Sequence, residues 1–410
     1  MLDKSLRILS PVASPISFKD ILEGLKNFYS EEIFKKLKNK IAEYFNVKYA
    51  FFFSSGRAAL TIILKVLKEI KGKDEVIIPG YTCFSVPSSV VKAGLKVVLC
   101  DIDLNYLDFD LDQLRKLINK NTLAIIPVHL CGYPCRMDKI IEVSENYDLF
   151  LVEDCAQALG GDFKGKKLGT IGDIGFFSLG RGKNLTSVDG GFIVTNNDFL
   201  AEKLEKFREI ERINFLDKVE IFLKSIIISI FLNPYFYFIP VILPFVKLGI
   251  SEFSTKFKLK DFSSYQAGLF FSMWDKLAKL TKIRRKNAFL IMKKLKNLNK
   301  LRFPIWDKDS YPVFLRLPVI IEDKNLREKI FKKLNDKGLG VSKFYPTSLK
   351  EIKELKPYLK ENSNLENSTY FAEHVITLPT HPLLKKRDIE EIRNIFFDCL
   401  KENSCWIKKN

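Results

Sequence analysis

Hydrophobic positions change their period several times along the chain, and each change marks an element. Between residues 18 and 46, Lys and Glu alternate with Ile21, Leu22, Leu25 and Phe28, then with Ile33, Leu37 and Ile41, the spacing of two amphipathic helices. From residue 49 a different grammar begins. Short unbroken apolar runs (49–53, 75–79, 96–100, 123–128, 149–154, 174–178 and 191–195) read as strands, and helical stripes at 58–70, 85–93, 111–119 and 138–146 separate the earlier ones. Runs without polar alternation belong to strands covered on both faces, so the pattern predicts a large, mainly parallel mixed sheet sheathed by helices.

Residues 198–220 read as one further charged amphipathic helix, and 264–296 as one long basic helix with Leu269, Met273, Leu277 and Leu280 on its apolar side. Beyond Asn299 a smaller α+β domain is expected. It would hold a strand over 311–321, a helix over 324–336, a turn at 338–341 into an edge strand and a terminal helix over 387–400. The expected organisation is an N-terminal segment with a large α/β domain (1–220), an apolar insertion (221–258), linking helices (259–298) and the small domain (299–410).

The insertion interrupts this order. From Ser225 to Val246 there are 22 consecutive uncharged residues, long enough to span a bilayer. Pro234, Pro240 and Pro244 break the run, while Asn233, Tyr235 and Tyr237 add polar or interface-seeking groups. The segment is either a buried or subunit-covered hairpin or a peripheral membrane contact, with the flanking lysines suited to anionic headgroups.

Composition narrows the class. Of 410 residues 47% are apolar and 28% charged, which excludes a disordered chain. Lys and Arg outnumber Asp and Glu by 18 but are scattered through every helix, so no nucleic-acid partner is expected. Seven cysteines, an odd number, argue for a reducing compartment. The N-terminus lacks the sustained apolar core of a signal peptide, and a cytoplasmic location with peripheral membrane association as an option is expected. Cys131 and Cys135 lack a second cysteine pair and there are only three histidines, so no metal site is expected.

Three loops at strand ends carry candidate chemistry, because open α/β sheets place ligands there. Ser55-Gly56-Arg57 lies between a strand and a helix, where outward amides can receive a phosphate or a serine can simply cap the helix. Asp154 closes a central strand, where it is either a helix cap or a carboxylate aimed into the crevice, able to hold a ring nitrogen protonated. Lys183 sits in a glycine-bearing loop between two strands and could condense with an aldehyde, although a surface position is the default for one of so many lysines. His129 either lines the same pocket or is a hydrogen-bonded structural histidine.

In order along the chain, Glu153 to Gly160, Gly172 to Ser178, Lys183-Asn184-Leu185 and Gly190-Gly191 resemble the pyridoxal-phosphate-dependent sugar aminotransferases of the DegT/DnrJ/EryC1/StrS family. The likeness extends to Ser55-Gly56, Val76 to Thr82, Val128 to Gly132, Gln266 to Leu269 and Leu378 to Pro382, and skips about 215–258. The resemblance implies a fold-type I aminotransferase working as a homodimer on pyridoxal 5'-phosphate. Lys183 would carry the Schiff base and shuttle the proton, Asp154 would pair with the pyridine nitrogen, and Gln157 would bond near the phenolic oxygen. Ser178 with Ser55, Gly56 and Arg57 would hold the phosphate. Glutamate or glutamine would donate the amino group to a nucleotide-linked keto sugar. Family dehydratases carry histidine in place of the lysine, so Lys183 points to amino transfer.

Four departures accompany the likeness. Arg57 replaces a hydroxyl residue, and Cys83 stands where an aromatic stacks on the cofactor, leaving Phe84 or Tyr81 for that role. Leu259-Lys260-Asp261 replaces an Asn-x-Arg segment given across the dimer interface, and the apolar insertion is foreign to the pattern. These departures keep a second reading open, a non-catalytic or regulatory descendant that binds a membrane or a protein.

Overall fold

The computed structural model describes residues 7–207, 209–242, 252–360 and 364–407. Two amphipathic helices, α1 (Phe18–Lys26) and α2 (Glu32–Phe45), precede the first strand. The large domain then runs β1 (Tyr49–Phe53), α3 (Gly56–Lys71), β2 (Glu75–Pro79), α4 (Ser85–Lys92), β3 (Lys96–Cys100), α5 (Leu111–Leu117), β4 (Thr122–Ile125), α6 (Met137–Asn146) and β5 (Phe150–Asp154). A short hairpin, β6 (Asp162–Phe163) and β7 (Lys166–Lys167), leads to β8 (Ile174–Ser178) and β9 (Gly191–Thr195). Seven strands form one sheet in the order β1-β9-β8-β5-β4-β2-β3. Its pairs from β3 to β8 are parallel, and β9 runs against both of its neighbours. Valine and isoleucine of β2, β4 and β5 are fully enclosed, as expected of strands covered on both faces.

Two elements read as single helices are each broken. The span 198–220 holds α7 (Asp198–Lys206), an extended stretch, and then α8 (Phe215–Phe231), capped by Asn214 and Asp217. The break arises because Glu211 pairs with the segment before residue 262: its amide donates to Leu259 O at 2.8 Å and its carbonyl accepts from Asp261 N at 3.0 Å. The span 264–296 divides into α10 (Ser264–Trp274) and α11 (Leu277–Leu295). At that joint Asp275 pairs with Lys40 of α2 at 2.6 Å, and Lys276 pairs with Asp20 of α1. Helix α9 (Phe238–Ile242) follows α8; Leu243 to Val246 lie outside the described residues.

The C-terminal part contains an antiparallel sheet of β10 (Leu301–Arg302), β11 (Leu317–Ile321) and β12 (Val375–Leu378), with α12 (Lys324–Asp336), α13 (Glu366–His374) and α14 (Lys386–Ile407) around it. Only 317–321 of the expected 311–321 strand joins this sheet. Val313 and Leu315 instead donate to Gly132 O and Cys131 O of the large domain, at 3.0 and 2.9 Å. The turn at 338–341 leads to a single bridge, Ser342 with Thr377, and not to an edge strand.

The insertion packs one face of α8 on the body. Ser225 is buried and bonds Tyr265 Oη at 2.6 Å, and Ser229 donates to Ile16 O at 2.9 Å. The other face leaves Leu216, Leu223, Ile227 and Ile230 about half exposed or more, at helical spacing. No helix among the described residues is long and apolar enough to cross a membrane.

Candidate active site

Asp154 and Ser178 end two adjacent parallel strands, β5 and β8, so the topology alone brings them to one edge of the sheet. Helix α3 begins beside them. A Cβ on Gly56 would lie 2.9 Å from Ser178 Cβ, and one on Gly191 would lie 2.6 Å from Gly56 N, so glycine at both positions lets the helix N-terminus press onto the strand ends. Ser55 caps that helix by accepting from Ala58 N at 3.1 Å. The first-turn amides of Gly56 and Arg57 have no acceptor among the described residues, and the helix dipole adds partial positive charge there. The Arg57 guanidinium lies 4.9 Å from the ring centroid of Phe257, and its charge opposes the upward push of burial on Asp189.

Asp154 is buried, 4% exposed. Its Oδ1 accepts from Ala156 N at 2.9 Å, and Oδ2 has no hydrogen bond among the described residues. Burial raises the pKa of its carboxyl, against which the Ala156 amide and the charge of Lys183 act. Lys183 is half-buried, and its ammonium makes no hydrogen bond or ion pair among the described residues.

Gln157 Oε1 accepts from Cys131 N at 3.0 Å, and its Nε2 donates to Tyr345 Oη at 3.3 Å, which leaves one amide hydrogen unused. Cys131 and Phe344, on either side of this contact, both have positive φ, 57° and 67°. Phe84 lies against Tyr345 with ring centroids 6.0 Å apart. Tyr81 is occupied differently: its hydroxyl accepts from Tyr345 N and donates to Tyr345 O, both at 3.0 Å, and so fastens the small domain to the large one.

His129 is enclosed. Its Nδ1 accepts from Cys135 N at 3.1 Å, so Nε2 carries the proton and faces Glu153 Oε2 at 3.3 Å. His129, Glu153 and Cys155 stand close enough to share a metal ion, yet Glu153 already accepts from the amides of Gly169, Ile171 and Gly172 at 2.6–2.8 Å. The segment Leu259-Lys260-Asp261 is stitched to the end of β1: Ser54 N donates to Lys260 O at 2.9 Å, and Lys260 Nζ pairs with Asp217 at 2.7 Å.

Sequence reasoning passed over Tyr345 and Arg316. Arg316 stands 5.4 Å from the Phe344 ring and has no hydrogen bond or ion pair among the described residues. Neither residue lies in a recognisable motif, and the pairing of 313–315 with the large domain is what brings their part of the chain to the strand ends.

A seven-stranded sheet with one reversed strand, sheathed by helices and followed by a smaller α+β unit, defines the fold-type I class of pyridoxal-phosphate-dependent aminotransferases. The chain belongs to the DegT/DnrJ/EryC1/StrS aminotransferase family, which matches residues 18–397, and its cofactor is pyridoxal 5'-phosphate. It is 30% identical over 389 residues to an uncharacterized protein of Methanocaldococcus jannaschii, covering 93% of this chain and 92% of that one. It is 37% identical over 174 residues to GDP-perosamine synthase of Escherichia coli O157:H7, which covers 42% of this chain and about half, 48%, of that protein. The Helicobacter pylori aminotransferase PseC, involved in pseudoaminic acid biosynthesis, has the same fold with a TM-score of 0.78 at 19% identity, over 97% of this chain and 100% of that one. The E. coli GDP-4-keto-6-deoxy-D-mannose-3-dehydratase, with bound hydrated cofactor, gives 0.75 at 21% identity, over 95% and 100%.

Proposed function

We propose that this aminotransferase moves an amino group from glutamate or glutamine to a nucleotide-linked keto sugar, as a homodimer, with Lys183 as the catalytic residue. The observation that carries the reading is Asp154: a buried carboxylate at a central strand end, with one oxygen unpartnered and with Lys183 near enough to act on its charge. A protonated ring nitrogen is the partner such a carboxylate lacks, and an ionised Asp154 would keep that proton in place. The open amides of Gly56 and Arg57, with Ser55 and Ser178 beside them, suit the phosphate. The free Nε2 hydrogen of Gln157 suits an oxygen on the ring, and Phe84 suits its face. Bound there, the cofactor supplies the electron sink for amino transfer. Lys183 holds it through its amine and then moves a proton to and from the substrate carbon.

Arg181, two residues before Lys183, and Arg316 form no ion pair among the described residues, and both lie near the Tyr237 phenol of the insertion, where their charges counter the upward push of burial. Two unpaired guanidinium groups suit a substrate that carries carboxylate or phosphate. The names of two relatives agree with that class, GDP-perosamine synthase and a 3-aminotransferase of UDP-N-acetyl-3-dehydro-α-D-glucosamine, and a third, an L-glutamine:2-deoxy-scyllo-inosose aminotransferase, names glutamine as the donor. The test is a two-stage assay. Glutamate or glutamine should shift the visible spectrum of the cofactor-loaded protein to that of the aminated cofactor, and a panel of keto-sugar nucleotides should reverse the shift. No spectral response to any amino donor would overturn the reading.

We also propose a peripheral contact with an anionic bilayer through 225–246. The exposed stripe Leu223, Ile227 and Ile230 continues into Tyr235, Phe236, Val241 and Ile242, and the chain carries a net charge of +18. Flotation with phosphatidylserine vesicles but not with phosphatidylcholine vesicles is the expected result; a protein that floats with neither, or that covers this stripe by forming a larger oligomer, would refute it.

A further inference from the structure

The first described residues form a strap that touches four parts of the molecule. Arg7 pairs with Asp388 at 2.7 Å, Leu9 N donates to Gly338 O at 2.8 Å, and His381 Nε2 donates to Ser10 O at 2.8 Å, all contacts to the small domain. The insertion holds the same strap at two points, since Ile8 N donates to Pro234 O at 2.8 Å and Ser229 to Ile16 O at 2.9 Å. Its middle lies on the lysine loop. Gly182, at φ +76°, has no room for a side chain because a Cβ there would stand 2.5 Å from Val12 Cγ2. Ser14 Oγ contacts Lys183 O, and it lies 3.1 Å from Asn184 O.

Arg284 of α11 reaches this point from below. Its side chain is fully enclosed and pairs with no carboxylate among the described residues. Nη1 donates to Asn184 O at 3.2 Å, and Nη2 donates to Ala13 O at 3.0 Å and Ser14 Oγ at 2.9 Å. Burial lowers its pKa to about 10, so it is still a cation at neutral pH. A serine hydroxyl has one hydrogen: while Oγ accepts from Arg284 it can donate to only one carbonyl, Lys183 or Asn184. Donor direction therefore runs from guanidinium to hydroxyl to the lysine loop. A cation buried without a counter-ion is costly unless several carbonyl and hydroxyl dipoles solvate it, and here those dipoles belong to the strap and to the loop that bears the lysine.

We propose that Arg284 is a positioning residue that acts on Asn184 O directly and on the Lys183 carbonyl through Ser14: together they fix these two carbonyls, and with them the direction in which the lysine side chain leaves its loop. The inference rests on the reading of Lys183 as the catalytic lysine. It also gives the insertion a task in this chain, to hold down the strap that carries Ser14.

The test uses the full-length protein and the variants Ser14→Ala, Arg284→Lys and the double variant, with Arg284→Met as the severe case. The readouts are the rate at which cofactor-free protein captures pyridoxal phosphate, the fraction fixed to Lys183 by borohydride, kcat and KM for the amino-donor half-reaction, and the thermal midpoint. Both single variants should capture the cofactor more slowly and lose about 100-fold in the half-reaction rate, with KM within about 2-fold, as a small misplacement of a reacting group does. The double variant should lose clearly less than the product of the two single losses. If Arg284→Met fails to fold, Ser14→Ala, which removes a single oxygen, decides. Wild-type capture and half-reaction rates in Ser14→Ala and Arg284→Lys, or multiplied losses in the double variant, would refute the positioning role alone. Failure of the wild-type protein to fix any cofactor at Lys183 would instead remove the catalytic reading and this inference with it.

Discussion

Glu153 and Asp154 are consecutive carboxylates at the end of one strand, both buried, and they face opposite sides of it. Glu153 is saturated: three loop amides donate to its oxygens and His129 stands at 3.3 Å. Asp154 accepts one amide and keeps an oxygen free. The first carboxylate closes the 169–172 loop onto the sheet, and the second is buried with one oxygen outside any hydrogen bond among the described residues. A buried carboxylate left short of partners costs stability, and that is the difference between the two sides of β5 on which the proposed role of Asp154 rests.

The sharpest way to test that contrast is to disable one side at a time. Lys183→Ala should abolish amino transfer, by about 10⁴-fold, because in the proposed mechanism it removes both the attachment point and the proton carrier. Its thermal midpoint without cofactor should stay within a few degrees of wild type. Asp154→Asn should reduce the donor half-reaction about 100-fold, the loss of one charge-assisted hydrogen bond. Because burial raises the pKa of this carboxyl, its ionised form is a strain on the cofactor-free protein at neutral pH, and the amide should leave that protein equally or more stable in denaturant unfolding. Glu153→Gln should do the reverse. Setting an NH₂ against amide donors should cost about 3 kcal/mol of stability while the folded fraction keeps most of its activity. Equal behaviour of the Asp154 and Glu153 variants would erase the distinction between the two sides.

A comparable effect is expected from pH. Burial, with the charges of Arg284 and Arg7 adding to it, lowers His381 from 6.5 to about 4. A base whose folded pKa is depressed contributes its full stability above 6.5 and loses it as pH falls through that range. Roughly 3 kcal/mol should therefore disappear between pH 6.5 and 4 in chemical denaturation. His381→Gln, which can still donate to Ser10 O, should flatten that slope. The smallest effect on folding is expected at the insertion: Leu223→Ser with Ile227→Ser should cost about 1–2 kcal/mol of stability, since both side chains are about half exposed, and yet abolish vesicle flotation.

Elements governed by local pattern were legible in the sequence. The seven strands of the large sheet lie where unbroken apolar runs occur, most of them next to Gly, Pro or Asp, because such runs suit strands buried on both faces. Readings failed where a remote segment competes for the backbone. Glu211 leaves the helical pattern to pair with Leu259 and Asp261, and Val313 and Leu315 leave theirs to pair with the 131–132 loop. β12 is four residues long and squeezed between helices, too short to show a period.

The amino-acid order by itself determined the α/β grammar, the family motifs and the candidates Lys183, Asp154 and Ser55-Gly56, because these depend on neighbours within a few positions or on ordered spacing. Only the tertiary structure decided that Glu153 is satisfied while Asp154 is not, that Tyr81 spends its hydroxyl on Tyr345, and that Arg284 and Ser14 meet beneath the lysine loop. Hydrogen-bond satisfaction depends on partners up to hundreds of residues away, and no local pattern encodes which buried polar group will find them.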